Sequence, residues 1–155
     1  MPSNISYMTG NLLEADTEAL VNAVNTVGVM GKGLALQFKQ AFPENYRAYA
    51  AACKRGYVRA GEMFVTEAQT PEGRRLIINF PTKGDWRSKS KIADIEAGLD
   101  ALVSEIRARS IRSIALPALG CGLGGLDWEA VRPLIESAFA RLPDVRVLVY
   151  LPQRK

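Results

Sequence analysis

Apolar residues along this chain fall into two alternating patterns. Short runs rich in Val, Ile, Leu and Phe occur at Ile5–Met8, Leu20–Val24, Met63–Ala68, Leu76–Phe80, Ser113–Leu116 and Val145–Tyr150. Bounded by turn residues, they read as strands. Between them apolar positions recur at helical spacing. Ile92, Ile95, Leu99, Leu102, Val103 and Ile106 share one helix face, and Trp128, Val131, Leu134, Ile135, Ala138 and Phe139 share another. Leu34–Phe42 predicts a further helix, stopped by Pro43, and Glu44–Arg55 the next, with Gly56 placed as its C-terminal cap. Pro133, inside the last apolar face, is expected to kink its helix or remove one hydrogen bond. Gln69–Arg75, carrying Pro71 and Gly73, reads as a hairpin turn between two strands. Strands alternating with helices imply an α/β fold: a largely parallel or mixed sheet with helices on both faces. No linker or low-complexity stretch divides the chain, so residues 1–155 are expected to form one domain. The last strand ends close to Lys155, which leaves room for a longer natural protein.

One arrangement occurs twice. An apolar run, Ala19–Asn25, leads into Thr26-Val27-Gly28-Val29-Met30-Gly31-Lys32-Gly33 and then a helix. Ile114–Pro117 leads into Ala118-Leu119-Gly120-Cys121-Gly122-Leu123-Gly124-Gly125 and then, past Leu126-Asp127, another helix. Glycines let backbone approach a ligand closely, and unpaired N–H groups at a helix start attract anions. Two such loops in a small α/β domain can clamp a diphosphate from both sides, which points to a nucleotide-type ligand. In open α/β sheets ligands bind at the carboxyl ends of strands. A third loop, Pro81–Lys91, shares that end and carries Lys83, Asp85, Trp86 and Arg87.

Composition narrows the chemistry. The chain has no histidine, so a Ser-His-Asp triad, a Cys-His pair and a His-bearing metal site are excluded. Proton transfer falls to carboxylates, lysine, tyrosine, water or the substrate. Cys53 and Cys121 have no metal-type spacing, no cofactor motif is present, and disulfides are unnecessary at this size, so a reducing cytoplasm is the expected compartment. No apolar run approaches the length of a membrane span and no signal peptide opens the chain. The net charge of +4 suits a polyanionic partner.

Lys83 is the candidate reactive group: an amine at a strand end can attack an anomeric carbon, or donate to it, once burial or neighbouring cations lower its pKa. Asn22 and Asn25 close an apolar strand before the first glycine loop, where ligand contact competes with turn formation. Cys121 reads as packing, since nothing activates it. Asp127 before Trp128 reads as a helix N-cap. Trp86 with Arg87, Lys89 and Lys91 can stack a base and hold phosphates, or form an ordinary charged loop.

These residues carry a resemblance. VNAVNTVGVMGKGLALQFKQAFP resembles the first signature of macrodomains, the ADP-ribose-binding fold, and LPALGCGLGGLDW resembles their second phosphate loop. NFPTKGDWR is similar to the DarG branch, antitoxin macrodomains that remove ADP-ribose from thymidine bases of DNA and so reverse the toxin DarT. The resemblance implies a six-stranded mixed sheet in a three-layer α/β/α sandwich and an ADP-ribosyl glycohydrolase. Catalysis would rest on Lys83 and Asn22. ADP-ribose would meet Thr9, Gly10, Asn11 and Leu12 at its adenine and Asn22 and Asn25 at its distal ribose. Its diphosphate would lie between the Gly28–Gly33 and Gly120–Gly125 loops. The ligand-binding set would also take in Gly31, Lys32, Gly33, Thr82, Pro117, Leu119, Gly120, Cys121, Gly122, Leu123 and Gly124. Trp86, Arg87 and Lys89 would meet ADP-ribosylated single-stranded DNA, and the toxin itself is an implied partner. The chain departs from the family at three places. Asn11 stands where most macrodomains have Asp. Leu34-Ala35 follows Gly33 where protein-directed hydrolases carry Asp. Gly124 stands where a related terminal glycohydrolase pairs its lysine with Asp. Alternatives are an ADP-ribose reader without catalysis, and a hydrolase of ADP-ribosylated protein carboxylates or ADP-ribose-1″-phosphate.

Overall fold

In the computed structural model, residues 4–85 and 88–152 are described. Six strands, β1 (Ile5–Met8), β2 (Ala19–Asn25), β3 (Phe64–Thr70), β4 (Gly73–Lys83), β5 (Ser113–Pro117) and β6 (Arg146–Tyr150), form one sheet in the order β1-β6-β5-β2-β4-β3. All neighbours are parallel except β3, which runs antiparallel to β4 at the edge. Helices α1 (Gly33–Ala41), α2 (Pro43–Lys54), α3 (Ile92–Arg109) and α4 (Trp128–Ala140) complete the fold.

Strand alternation sorts the core into two layers. Ile114 and Leu116 of β5, and Val147 and Val149 of β6, pack with Ile95, Leu99, Leu102, Ile106, Ile135 and Phe139 of α3 and α4. Ala115 and Leu148, the residues between them, face the other way, with Leu20, Ile77 and Phe38 of α1. Val24, Met30 and Tyr49 extend that second layer under α2. The sheet is therefore sandwiched between α3/α4 and α1/α2, the three-layer arrangement expected.

Three local readings change. The hairpin is tighter than predicted: β3 and β4 pair as far as Thr70 and Gly73, and only Pro71 and Glu72 lie between them. Thr70 closes it, its hydroxyl donating to the Gly73 carbonyl (2.7 Å) and accepting from Glu72 N–H (3.2 Å). Leu12–Glu14 forms a single 3-10 turn that sequence periodicity does not detect. Pro133 sits on the exposed side of α4, which continues through it from Trp128 to Ala140. Its cost is the missing N–H, with no break in the helix.

Candidate functional site

The site is built where β2, β4 and β5 end side by side. β2 and β4 stay in register from Ala19↔Leu76 to Val24↔Pro81, and then Asn25 pairs with Lys83. Thr82 is the extra residue of a bulge, held by its hydroxyl against the Val24 carbonyl (3.4 Å). Such an insertion interrupts the two-residue alternation and re-aims the residue that follows, here Lys83. Burial holds the Lys83 amine below its ordinary pKa, opposed by the nearby Asp85 carboxylate. Gly84 ties this strand end to the first loop, its carbonyl accepting from both the N–H (3.0 Å) and the hydroxyl (2.8 Å) of Thr26.

The two asparagines divide their tasks. Asn22 is completely buried and its amide donates to the Met30 sulfur at 3.7 Å. Its Oδ1 meets no donor among the described residues. A buried acceptor without a partner is costly, which leaves this oxygen open to a donor from outside the described residues. Asn25, expected at the ribose, is used up internally. Its Oδ1 accepts from the N–H groups of Val27 (3.1 Å), Gly28 (3.1 Å) and Val29 (3.3 Å), and its amide donates to the Val29 carbonyl (2.8 Å). The buried Tyr49 hydroxyl donates to Asn25 O and Oδ1, both at 2.8 Å. Burial raises the Tyr49 pKa, keeping it a neutral donor. Asn25 therefore shapes the first loop through residues 27–29. Among the described residues, no acceptor meets the N–H groups of Gly31, Lys32 or Gly33, and α1 has no side-chain cap at its start. Gly31, Lys32 and Gly33 are all exposed.

The second loop follows β5, the neighbour of β2. Gly120, with φ +75°, reverses the chain, and its carbonyl accepts from Leu126 N–H (2.9 Å). Gly125 N–H donates to the Gly122 carbonyl (3.2 Å). The N–H groups of Gly122, Leu123 and Gly124 meet no acceptor among the described residues. Ser90, unremarked in the sequence, locks this loop to the one bearing Lys83. Its N–H donates to the Gly124 carbonyl (3.0 Å). Its buried hydroxyl has no partner among the described residues and lies 2.3 Å from where a Gly124 Cβ would stand. A side chain at position 124 therefore requires this loop or Ser90 to shift. Lys89, expected near DNA, runs along Gly125, with Nζ 3.5 Å from its would-be Cβ. Trp86 and Arg87 lie outside the described residues.

Other predicted residues divide between backbone and surface roles. Leu119 and Leu12 are core residues, 0% and 2% exposed. Asn11 caps the 3-10 turn by accepting from Leu13 N–H (3.0 Å), so its acceptor is shared; Thr9 and Gly10 beside it are exposed. Pro117 and Cys121 are half-buried. The Cys121 thiol is pushed up to about 11, first by burial and then by Asp127, which leaves it un-ionised at neutral pH. Asp127 caps α4, accepting from Glu129 N–H (3.3 Å). Among the described residues, no group of His, Cys, Asp and Glu could hold a metal ion.

Gly122 differs from its neighbours: a Cβ there meets nothing within 4 Å, so a side chain projects into open space. Gly122→Glu is expected to leave stability within about 0.5 kcal/mol and to weaken ADP-ribose at least tenfold, ~1.4 kcal/mol, by placing a carboxylate among the free amides. Calorimetry that finds a folded Gly122→Glu protein with unchanged affinity would contradict the two-loop clamp.

Glycine loops with free amides thus follow two neighbouring strands, β2 and β5, of a mixed six-stranded sheet. The chain belongs to the Macro domain family, whose model matches residues 21–135. It is 57% identical over 148 residues, 96% of this chain and 42% of the relative, to a protein of Mycobacterium tuberculosis named DNA ADP-ribosyl glycohydrolase. It superimposes on the macrodomain of Mycobacterium tuberculosis DarG with a TM-score of 0.94 at 56% identity, covering 96% of this chain and 98% of that one. It also matches Thermosipho africanus DarTG in complex with ADP-ribose, with a TM-score of 0.92 at 37% identity over 99% of this chain and 43% of that one. The chain thus spans less than half the length of the curated relative.

Proposed function

We propose that this macrodomain is a DNA ADP-ribosyl glycohydrolase that releases ADP-ribose from thymidine bases and so reverses a DarT-type toxin. The observation that carries the reading is Lys83: after a bulge it pairs with Asn25 at the strand end that leads into the first glycine loop, and burial lowers its pKa, in a chain without histidine. The identity to relatives bearing that name supports the substrate class. ADP-ribosylated single-stranded DNA is then the substrate, and the toxin the enzyme it opposes.

In this reading the free amides of residues 31–33 and 122–124 hold the diphosphate, and Asn22 Oδ1 accepts from a ribose hydroxyl. The neutral Lys83 amine attacks the anomeric carbon as the ribose–base bond breaks through an oxocarbenium-like state. The proton shed by the lysine nitrogen goes to the departing base. Water then attacks the same carbon, expels the amine and frees ADP-ribose. The test of substrate class is turnover of three compounds: an ADP-ribosylated thymidine oligonucleotide, an ADP-ribosylated glutamate protein and ADP-ribose-1″-phosphate. The oligonucleotide is expected to be cleaved fastest. Preference for either other compound overturns the DNA reading, and binding without any turnover makes the domain a reader.

The mechanism also fixes the sign of the pH dependence. Burial disfavours the ammonium form, so neutral Lys83 appears at lower pH than for a free lysine. The single-turnover rate should climb with pH and level off below the usual lysine range. A rate that falls over that range would instead mean that Lys83 works as a charged donor.

A further inference from the structure

Outside the cleft loops, the segment Lys54-Arg55-Gly56-Tyr57-Val58-Arg59 combines three cations with the exposed aromatic ring of Tyr57, 65% accessible. Its position follows from the strand register. Phe64, the first residue of antiparallel β3, pairs with Asn79 of β4, so the residues before Phe64 lie at the sheet end where β4 delivers Lys83. Val58 shares a buried cluster with Val24 of β2 and Met30 of the first loop, and a Cβ on Gly28 would lie 3.6 Å from Cys53 Cβ. The segment thus lies beside the first loop, on the β3/β4 side of the sheet end.

Its backbone is held in place. Gly56 has φ +74°, and Gly56 N–H donates to Cys53 O (3.0 Å) while Tyr57 N–H donates to Ala52 O (2.9 Å). These are the two bonds of a Schellman cap. Arg59 Nε adds a bond to the Gly56 carbonyl (3.0 Å). A Schellman motif commonly folds the residue after glycine back onto its helix; here that residue, Tyr57, projects into solvent. Among the described residues no carboxylate pairs with Lys54, Arg55 or Arg59, and Glu62 is the lone acid between residues 54 and 63.

We propose that residues 54–59 form a second contact surface for the single-stranded DNA that carries the modified base: Lys54 and Arg55 hold backbone phosphates and Tyr57 stacks a flanking base. An unpaired cation cluster beside a rigidly presented aromatic is the chemistry that binds single strands without reading sequence. The proposal rests on the DNA-directed reading above for its biological sense, but its binding test does not require turnover.

The experiment compares the protein with Lys54→Ser/Arg55→Ser and with Tyr57→Ser, leaving Arg59 to support the loop. Fluorescence anisotropy of an unmodified thymidine-rich oligonucleotide across a sodium chloride series is the first readout. Loss of two phosphate contacts should weaken binding at least tenfold at low salt and flatten the log–log salt slope by about 1.4, at roughly 0.7 per contact on a single strand. Tyr57→Ser should weaken binding with the slope unchanged, because stacking releases no counterions. The second readout is ADP-ribose release: both variants should lose rate on a modified oligonucleotide and keep the wild-type rate on a modified mononucleoside. Oligonucleotide binding equal to wild type in both variants overturns the proposal, as does equal loss on both substrates, which would assign the segment to the pocket. A wild-type protein that releases nothing from modified DNA defeats the glycohydrolase reading instead, and the anisotropy series still decides this surface.

Discussion

Lys83→Ala is expected to abolish release of ADP-ribose while leaving its affinity within about tenfold, ~1.4 kcal/mol. The separation follows from what each part of the cleft does. In the proposed mechanism the diphosphate is held by main-chain amides of the two glycine loops, which the substitution leaves in place. In that mechanism Lys83 acts only where charge and bonding change, so its loss should fall on the chemical step. With no histidine in the chain, no imidazole is available to take over. Lys83→Arg tests the same point with the charge retained: guanidinium stays protonated at neutral pH and cannot attack, so it should be as inactive as alanine. A Lys83→Ala protein with wild-type turnover would remove the lysine from the mechanism.

The second large effect is expected from a single methyl group. In Gly124→Ala the new Cβ would lie 2.3 Å from Ser90 Oγ and 2.5 Å from the Gly120 carbonyl oxygen. One contact is with a side chain that can turn; the other is with backbone that also accepts the Leu126 N–H. The loop must therefore shift, at an overpacking cost of about 1–3 kcal/mol, and its free amides shift with it. Stability and ADP-ribose affinity should fall together. Gly122→Ala, two residues earlier in open space, should change neither. Ser90→Ala in the Gly124→Ala background removes only the first clash, so a double-mutant cycle should show partial recovery. Wild-type melting and affinity in Gly124→Ala would show that the loop yields freely and that the Ser90 lock is not rigid.

The strands were legible because β2, β4, β5 and β6 are apolar runs buried on both faces of the sheet, and α3 and α4 because their apolar faces keep helical spacing over several turns. The two glycine loops were legible for the same reason, as each interrupts a buried run. Polar β3 was harder at its hairpin end: Gln69 and Thr70 look like turn residues, yet an edge strand exposed on one side tolerates them. The site's internal wiring was not legible at all. Asn25 and Tyr49 are read apart until α2 is seen packed beneath the first loop. Ser90 is an unremarkable serine until β5 and the Pro81–Lys91 loop bring it against Gly124. The Thr82 bulge leaves no pattern of its own, since an insertion in a parallel pair is defined by the partner strand. Sequence thus drew attention to Lys83 and the glycine loops, whereas the hydrogen bonds that tie Asn25 and Ser90 into those loops needed the tertiary structure.

The claim that Lys83 attacks the anomeric carbon is tested most directly by trapping. ADP-ribosylated thymidine oligonucleotide is turned over with cyanoborohydride present, and the intact protein and its tryptic peptides are weighed. A glycosylamine on lysine equilibrates with its open-chain iminium, which the reductant fixes. The account predicts one ADP-ribosyl unit per protein, on the peptide containing Lys83, with inactivation in step with labelling and no label on Lys83→Arg. Full release of ADP-ribose from a protein that stays unlabelled and active in the reductant would contradict it.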